Sequence, residues 1–318
     1  MALADLVTSY NIDVLCLQET KLQEQHVDDP KLGPISSLLD DIGYDSYFAC
    51  STAKKGYSGT AVFVRRRNSV QSDKGLDSGP SSKKRQKTLD GYFAKPSAEN
   101  PLEKTKNTLN GDDTLPVDGK NLMPLSVSYK IGVEKHDKEG RVVVLDFPLF
   151  SMCNVYVPNS GQKLDRLSYR TSEWDKDFLA FMKQKQADRK VPVMWLGDLN
   201  VAHTNLEVWN DGAKHLPKQA GVTPEERASF QHQLDHGEFI DAFRHLHPSA
   251  KGHYSYWSQR AGNRAPNKGL RLDYFICDPS LFDDASSAVV VRDSYMLPDV
   301  EGSDHCPVVL ELEIKPEK

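Results

Sequence analysis

Short apolar runs that end in polar residues recur along this chain and limit the folds it can adopt. The first is Asp13-Val14-Leu15-Cys16-Leu17-Gln18-Glu19. A nearly continuous apolar run of this length is typical of a strand buried on both faces. Similar runs, several rich in valine and isoleucine, follow at Gly59 to Val64, Val142 to Phe147, Phe150 to Val157, Val191 to Gly197, Leu270 to Cys277 and Pro307 to Ile314.

Helical patterns lie between these runs. Leu164 to Lys185 places apolar residues on one side at roughly helical spacing. Thr223-Pro224-Glu225-Glu226 starts another helix, with a capping hydroxyl, a proline in the first turn and acids near the positive end of the dipole. Leu3 to Tyr10 is predicted to be helical as well. Strands with interspersed helices predict a layered α/β domain, here a single one over residues 1–318.

Composition narrows the class of protein. The chain has 318 residues, of which 38% are hydrophobic, so it can bury a large core. It has no apolar run long enough for a membrane span and no secretion signal at its start, which predicts an intracellular protein. The five cysteines show no C-x-x-C spacing and are predicted to be reduced thiols, with Cys16, Cys153 and Cys277 buried. A net charge of −5 argues mildly against nucleic acid, but carboxylates clustered around a cation would offset a basic face.

Residues 69–121 are predicted to form a disordered insertion. The segment is rich in Ser, Lys, Asp, Gly, Pro and Asn, and has few large apolar residues. Within it, residues 86–93 fit the pattern of a sliding-clamp (PCNA) binding box, whose contacts would be Gln86, Leu89, Tyr92 and Phe93. The alternative is that the aromatics occur in a linker by chance. The adjacent cluster Lys83-Lys84-Arg85 predicts nuclear localisation, with a phosphate contact or a solvated charge run as alternatives.

Polar side chains cluster where the apolar runs end. Glu19, Tyr156, Asn159, Asp198 and Asn200 end such runs, Asp273 interrupts the run Leu270 to Cys277, and Asp304 and His305 stand just before the last run. A core strand has no structural use for so many carboxylates and carboxamides, because burying them without partners is costly. Carboxylates bind a hard cation such as Mg²⁺, and asparagine and tyrosine side chains can hydrogen-bond a phosphate. A histidine oriented by an aspartate can polarise the phosphate or help prepare a water.

Each of these residues, taken alone, also fits an ordinary role. An Asp-His pair can be a surface feature, a strand-end glutamate is usually solvated, and the asparagine in Gly197-Asp198-Leu199-Asn200 can be a turn residue. Taken together, the residues predict a metal-assisted phosphodiesterase.

The ordered set of motifs resembles the exonuclease III / class II AP endonuclease family, part of the endonuclease–exonuclease–phosphatase superfamily. The matching segments are Leu17-Gln18-Glu19-Thr20-Lys21, Tyr57-Ser58-Gly59, Glu139-Gly140-Arg141, Tyr156-Val157-Pro158-Asn159, Gly197-Asp198-Leu199-Asn200-Val201-Ala202-His203, Arg271-Leu272-Asp273-Tyr274-Phe275 and Ser303-Asp304-His305-Cys306-Pro307. The resemblance implies a DNase I-like fold, a four-layer α/β sandwich of two packed mixed sheets flanked by helices. It also implies an endonuclease that cuts 5′ to abasic sites and leaves a 3′-hydroxyl and a 5′-deoxyribose phosphate.

The resemblance also implies a role for each site residue. Glu19 would be the main Mg²⁺ ligand, with Asp304 nearby and with Asp198 and Asn200 as further metal-site residues; Mn²⁺ is the alternative ion. Asp198 would activate or orient the attacking water. Tyr156, Asn159 and Asn200 would hold the phosphate, and His305, oriented by Asp273, would contact it.

Residues that choose the substrate are implied in the same way. Tyr256, Leu270 and Leu272 would line the pocket for an extrahelical abasic sugar, although ordinary core positions are the alternative reading. Well-studied members have a tryptophan at the position of Leu270, so a looser wall and stronger 3′-end processing are expected. Lys21, Tyr57 and Asn267 match positions that contact the DNA backbone. Gln162 stands where some members insert an arginine, which implies weaker product retention.

The chain departs from the family pattern at its start. Family members have a central strand with a Trp-Asn-Val-x-Gly-like segment before the first helix, whereas Met1 here leads directly into that helix. We expect unpaired edges on the neighbouring strands, and poor stability and weak activity of the chain as given.

Three functions therefore stay open at this point. The first is a base excision repair endonuclease, acting as a nuclear monomer on double-stranded DNA with abasic sites or blocked 3′ ends. The second is mainly a 3′-phosphodiesterase or 3′–5′ exonuclease, which Leu270 favours. The third is a non-catalytic DNA-binding protein tethered to the clamp. The presence of Glu19, Asp198, Asn200 and His305 argues against the third.

Overall fold

A computed structural model describes residues 2–29, 33–66 and 122–316 of the chain. The predicted insertion at 69–121, and with it the predicted clamp box of Gln86, Leu89, Tyr92 and Phe93, lies outside the described residues. Within the described ranges, no helix is long and apolar enough to cross a membrane.

The secondary-structure elements follow the predicted alternation. The strands are β1 (Val14–Gln18), β2 (Tyr44–Ala49), β3 (Thr60–Arg65), β4 (Ser126–Ser128), β5 (Val142–Asp146), β6 (Ser151–Tyr156), β7 (Val193–Asp198), β8 (Ile240–Asp241), β9 (Asp273–Cys277), β10 (Val289–Met296) and β11 (Val308–Ile314). The helices are α1 (Leu3–Ser9), α2 (Glu24–Val27), α3 (Glu134–Asp137), α4 (Leu167–Tyr169), α5 (Asp175–Asp188), α6 (Pro224–Gly237) and α7 (Ala242–Leu246), and a π-helical turn at Arg170–Trp174 joins α4 to α5. Every predicted apolar run contains a strand.

A six-stranded mixed sheet with the order β4-β5-β6-β7-β9-β8 forms the centre of the structure. β6 and β7 are parallel, and the other pairs are antiparallel. All residues of β5, β6 and β7 are buried, because both faces of the sheet are covered. This double covering explains why the strands appear in the sequence as continuous apolar runs rather than as alternating patterns.

The two faces of this sheet pack against different layers. On one face, Trp195 and Tyr274 pack with Trp174, Phe178 and Phe230 of the helical layer. On the other face, side chains of β5, β7 and β9 share a core with β2, β3 and β10. Helix α1 packs outside this second layer through Leu6 and Val7. The arrangement of helices, sheet, sheet and helix confirms the predicted α/β class.

The second strand layer consists of two antiparallel pieces, with the orders β1-β3-β2 and β10-β11. Within the described ranges β1 pairs only with β3, and β11 only with β10, so each keeps one unpaired edge. A cavity of about 1610 Å³ is lined by both strands and by Met152, Met194 and Leu196 of the six-stranded sheet. The predicted unpaired edges are therefore present, whereas the expected loss of stability and activity stays a prediction.

Two smaller predictions can be compared with the structure directly. Thr223 caps α6: its hydroxyl accepts from the Glu226 amide at 3.2 Å, and the Glu226 carboxylate accepts from the Thr223 amide at 3.1 Å. All five cysteines are free thiols; Cys153 and Cys277 are buried, whereas Cys16 is half-buried. The capping prediction is confirmed, and so is that of reduced cysteines.

Candidate active site

Three predicted site residues stand side by side at one end of the six-stranded sheet. Tyr156, Asp198 and Asp273 are register partners across the adjacent strands β6, β7 and β9. Neighbours in register lie about 5 Å apart and point to the same face of a sheet. All three are at least nine-tenths buried, with exposed fractions of 9%, 7% and 8%. Two carboxylates so close together repel each other, so a compensating positive charge is needed nearby.

His305 supplies that charge. Its Nδ1 lies 2.7 Å from Oδ2 of Asp273, and the backbone of His305 forms an isolated bridge with Tyr256. Burial lowers the pKa of His305, but the carboxylates of Asp273 and then Asp198 outweigh this and raise it to about 10. This shift favours the imidazolium at neutral pH, held by Asp273, and in that form the second ring nitrogen is a donor to an anion that enters the site.

Asp198 is a buried carboxylate of the row. Burial raises its pKa to about 7, although the positive charge on His305 acts in the opposite direction. The amide of Asn200 donates to Oδ1 of Asp198 at 2.8 Å, which fixes the orientation of the carboxylate. A carboxylate with a pKa near neutrality is suited to accept a proton from water, because it is substantially ionised and still basic at physiological pH.

The two predicted asparagines form one hydrogen-bonded chain with Asp198. Asn159 Nδ2 donates to Asn200 Oδ1 at 2.7 Å, and Asn200 Nδ2 donates to the Val157 carbonyl at 2.9 Å and to Asp198 Oδ2 at 3.2 Å. Asn200 adopts a left-handed conformation with φ of 49°. Non-glycine residues rarely adopt this conformation, and where they do the cost is often associated with a functional site. The structure thus brings Asn159, Asn200 and Asp198 together as predicted.

Glu19 reaches the same site from the second strand layer. It follows β1 directly, has a φ of 53°, and lies 3.3 Å from the ammonium of Lys21. Glu19 lines the large cavity together with Asp198, Asp273, Asp304 and His305. Burial first, and then the carboxylates of Asp198 and Glu19, raise the pKa of Tyr156 far above its usual value. Tyr156 therefore stays a neutral hydroxyl donor, close to both acids.

The donor set fits a hard cation that keeps much of its water. Glu19, Asp198, Asp304 and Asn200 provide oxygen atoms only, and Mg²⁺ is usually bound through one or two carboxylates plus waters. Within the described ranges, no three His, Cys, Asp or Glu side chains form an all-protein metal cage. Glu19 is half-exposed, so its carboxylate is free of the tight packing that holds Asp198. A cation here would bind mainly through Glu19 and Asp304.

The predicted pocket residues form a wall beside His305. Leu270 and Leu272 pack in one cluster with Val208 and Val222, and Tyr256 lies against it. The backbone of Tyr256 forms isolated bridges to both Leu270 and His305, and the Tyr256 and His305 rings are 5.0 Å apart. Both leucines are 7% exposed. The wall adjoins the reactive groups, and its burial is compatible with the pocket prediction and with the core alternative alike.

The three residues predicted to contact the DNA backbone differ in their exposure and in their partners within the protein. Lys21 has a side chain that is 47% exposed. The Tyr57 hydroxyl is hydrogen-bonded to Arg141 at 2.7 Å and also to Arg166. Both ends of the Asn267 amide are used internally, since it accepts from the Trp257 indole at 3.1 Å and donates to the Gly252 carbonyl at 2.9 Å. Asn267 thus orders its own loop, and Lys21 is paired with Glu19 at 3.3 Å, so all three side chains have partners within the protein.

Arg170 is a site residue that the sequence analysis missed. Its guanidinium is 2% exposed and donates to the carbonyls of Asn200 at 2.5 Å and Leu199 at 2.6 Å. It opens the π-helical turn, a feature that often marks functional positions. Glu226 lies 3.6 Å from it and accepts from the Ser160 hydroxyl at 2.5 Å. One buried cation therefore connects the loop that follows β7 with the loop that carries Asn159.

A second missed contact connects Glu19 to the central sheet. Gln18 Nε2 donates to Asn154 Oδ1 at 2.7 Å, and Asn154 Nδ2 donates to the carbonyls of Leu17 and Ala61 at 3.1 and 3.0 Å. Asn154 is fully buried between the two strand layers. This amide pair fixes the end of β1 over β6 and so sets where Glu19 lies relative to Asp198.

Comparison with known proteins places this geometry in a family. The model of the Endonuclease/Exonuclease/phosphatase family matches residues 2–305. The chain belongs to this family. Members that are similar to it include an exodeoxyribonuclease of Bacillus subtilis (strain 168), which is 35% identical over 302 residues that cover 95% of this chain and 88% of that protein.

Other similar proteins carry related names. A DNA-(apurinic or apyrimidinic site) endonuclease of Dictyostelium discoideum is 32% identical over 96% of this chain, which spans only 64% of that protein. Among solved structures, the AP endonuclease LMAP from Leishmania major superimposes with a TM-score of 0.71 at 27% identity, covering 98% of this chain and 81% of that one. The family assignment and the fold thus agree with the site geometry described above.

Proposed function

We propose that this protein is a DNA-(apurinic or apyrimidinic site) endonuclease that hydrolyses the phosphodiester bond 5′ to an abasic site. The names of the Dictyostelium and Leishmania proteins and of the Bacillus exodeoxyribonuclease support a nuclease acting on DNA. The observation that carries the proposal is the row of Tyr156, Asp198 and Asp273, with His305 held as a cation beside it.

These groups suit phosphodiester hydrolysis by their charge and protonation. A neutral tyrosine hydroxyl and an imidazolium are both donors to the non-bridging oxygens of a phosphate, where negative charge increases as water attacks. Asp198 accepts the proton of that water, the bond between phosphorus and the 3′ oxygen breaks, and the leaving 3′ oxygen takes a proton from solvent. The products are a 3′-hydroxyl and a 5′-deoxyribose phosphate. Asn159 holds the phosphate in line with the attacking water, and Asn200, which donates to Asp198 and Val157 and accepts from Asn159, keeps Asp198 and Asn159 in place.

Mg²⁺, with Mn²⁺ as an alternative, is the cofactor that this proposal includes. Glu19 and Asp304, which both line the cavity, would hold the ion. When bound, it would offset negative charge on the phosphate and on the leaving oxygen. The oxygen-only donor set supports this choice.

A second candidate activity is mainly 3′-end processing. Leu270 favours it, because an aliphatic side chain gives the pocket wall less surface to enclose an abasic sugar than an aromatic ring would. Both activities use the same reactive groups, so they differ only in which DNA end or lesion the wall accepts.

The proposal also includes a place of action. The basic cluster Lys83-Lys84-Arg85 supports import into the nucleus, and the box at residues 86–93 supports tethering to a sliding clamp. Both rest on the amino-acid sequence alone.

The test is cleavage of an end-labelled duplex that contains one abasic-site analogue, with the product ends identified. Asp198→Asn keeps the size of the side chain but removes its basicity, so we expect cleavage to fall by about 10²- to 10⁴-fold. Asp235→Asn makes the same chemical change on the exposed face of α6 and should stay within about twofold of wild type, since surface substitutions rarely matter. Loss in both variants, or in neither, would contradict the assignment of Asp198.

The same assay separates the two candidate activities. A nick on the 5′ side of the lesion supports the endonuclease. Removal of 3′-terminal nucleotides without that nick would replace it by the 3′-processing function. If neither the nick nor the removal of 3′-terminal nucleotides depends on Asp198, only a non-catalytic role would remain.

A further inference from the structure

Trp209 is the exception among the tryptophans of this protein. Three of the four, Trp174, Trp195 and Trp257, are at most 2% exposed, whereas Trp209 is 43% exposed. A large aromatic ring in solvent is costly compared with a polar residue, since its apolar surface stays hydrated. The exposure of this one ring therefore suggests a use outside the core.

The backbone beneath this ring is rigid. The amide of Trp209 donates to the Gly269 carbonyl at 3.1 Å, and the amide of Arg271 donates to the Glu207 carbonyl at 2.9 Å. Glu207 is itself fixed, because its buried carboxylate lies 2.8 Å from the guanidinium of Arg271. Between these points Val208 packs into the pocket wall. Trp209 thus presents a pre-positioned ring, which lowers the entropic cost of binding a flat partner.

One positive charge lies over the ring. The ammonium of Lys268 lies 5.1 Å from the centre of the Trp209 indole. The segment from residue 258 to 269 contains Arg260, Arg264 and Lys268 and no acidic residue. An aromatic face next to a cation suits a nucleotide, because the base can stack on the ring while the phosphate meets the charge.

The ring lies at a definite distance from the reactive groups. Isolated bridges connect Val208 to Leu270, Leu270 to Tyr256 and Tyr256 to His305. Three such steps of about 4.8 Å put the backbone at Trp209 roughly 14 Å from His305. Because successive residues of an extended segment point to opposite sides, Trp209 turns away from the wall that Val208 faces. The indole therefore occupies the outer rim of the pocket wall rather than its interior.

We propose that Trp209 and Lys268 form a stacking subsite for an unpaired nucleobase of the DNA substrate. It rests on the proposed function and deepens it, because it names gapped or frayed DNA as the preferred substrate class. If the DNA between them stays stacked at about 3.4 Å per nucleotide, a subsite roughly 14 Å from His305 lies about four nucleotides from a phosphate bound at His305. A base within a duplex is paired and stacked on its neighbours, so it cannot use this ring.

Binding is tested without cleavage, in EDTA, by the tryptophan fluorescence of the protein with a short oligothymidylate. Trp209 is the accessible tryptophan, so stacking should quench the part of the emission that acrylamide also quenches. Trp209→Phe should abolish this oligonucleotide-dependent change. Lys268→Ala should reduce the salt dependence of binding by about one phosphate contact, whereas Lys183→Ala, on the exposed face of α5, should not. An unchanged fluorescence signal in wild type, or an undiminished one in Trp209→Phe, would overturn the proposal.

Kinetics provide the second readout. On a duplex with an unpaired segment four nucleotides from the lesion, Trp209→Ala should raise KM about tenfold and leave kcat unchanged. Trp209→Phe should restore most of the affinity, and on a fully paired duplex Trp209→Ala should change KM less than twofold. Equal effects on both substrates would overturn the subsite. The subsite and the proposed function can also be tested separately. If oligothymidylate still quenches the fluorescence of a catalytically inactive Asp198→Asn protein, the subsite is supported even if the endonuclease assignment fails.

Discussion

Replacement of Arg170 by lysine tests whether this residue positions the active site or only stabilises the fold. The guanidinium makes two short hydrogen bonds, to the Leu199 and Asn200 carbonyls at 2.6 and 2.5 Å. A lysine keeps the charge near Asp175 and Glu226 but cannot make both bonds in the same plane. Since one charged hydrogen bond contributes about 2 kcal/mol, the free energy of unfolding should fall by about that amount.

The expected effect on catalysis is larger than this loss of stability suggests. Asn200 holds Asp198 through its backbone amide at 2.8 Å, so a loop that loses one anchor misplaces both residues. A displacement of about 1 Å in a reacting group can cost on the order of 100-fold in rate. We therefore expect kcat of Arg170→Lys to fall by about 10- to 100-fold with KM nearly unchanged, measured on the abasic duplex.

Arg189→Lys is the matched control. Arg189 also donates to a carbonyl, that of Phe147 at 2.7 Å, and to the Ser151 hydroxyl at 3.1 Å, but it does so at the opposite end of β6. Because its side chain is 24% exposed, against 2% for Arg170, the control should lose less free energy of unfolding in urea, and it should keep its kcat. If Arg170→Lys also kept its kcat while losing stability, Arg170 would be a structural residue only, and the argument that it positions Asn200 would be refuted.

Two further predictions follow from the buried charges and the pocket wall. Burial raises the pKa of Glu207, but Arg271 and Thr204 outweigh it and lower that pKa to about 2. The folded-state pKa is below the unfolded value of 4.5, so the ionised Glu207 stabilises the fold above pH 4.5, and this stabilisation is lost as the pH falls through 2. In urea unfolding over that pH range, wild type should therefore lose about 3 kcal/mol more free energy of unfolding than Glu207→Gln. The surface control Glu225→Gln should behave as wild type. Leu270→Trp should raise the ratio of endonuclease to exonuclease rate about tenfold, because the larger ring encloses the abasic sugar. Both rates are measured on one protein, so any loss of folded protein through overpacking cancels in the ratio. An unchanged ratio would mean that Leu270 is a core residue only.

The sequence predicts a strand or a site residue correctly where the residues of that strand alone are sufficient evidence for it. The strands buried on both faces were recognised because both of their faces are apolar, and Tyr156, Asp198 and Asp273 were recognised because a polar residue at the end of such a strand has few other uses. The strands β2 and β10 were missed, since neither is a continuous apolar run: β2 is mostly half-buried, and β10 contains Arg292 and Asp293. Their pairing depends on the neighbouring strand and not on their own composition.

The contacts that position the site could not be predicted in this way. Arg170 meets its carbonyls 29 and 30 residues away, and Gln18 meets Asn154 136 residues away. A lone arginine or glutamine in the sequence is compatible with many partners, because long polar side chains usually lie at the surface. Only the packing of the two strand layers determines which partner each of them finds.

The central claim is that Glu19, from one strand layer, and the row of Tyr156, Asp198 and Asp273, from the other, form one cation-dependent phosphodiesterase site. The most direct measurement is the rate of abasic-site cleavage as a function of Mg²⁺ concentration, for wild type, Glu19→Gln and the surface control Glu225→Gln. We expect no cleavage in EDTA, saturable activation of wild type and of the control, and a Glu19→Gln protein that needs at least tenfold more Mg²⁺ or fails to respond. Cleavage that persists in EDTA, or a Glu19→Gln protein that matches the control at every Mg²⁺ concentration, would contradict it.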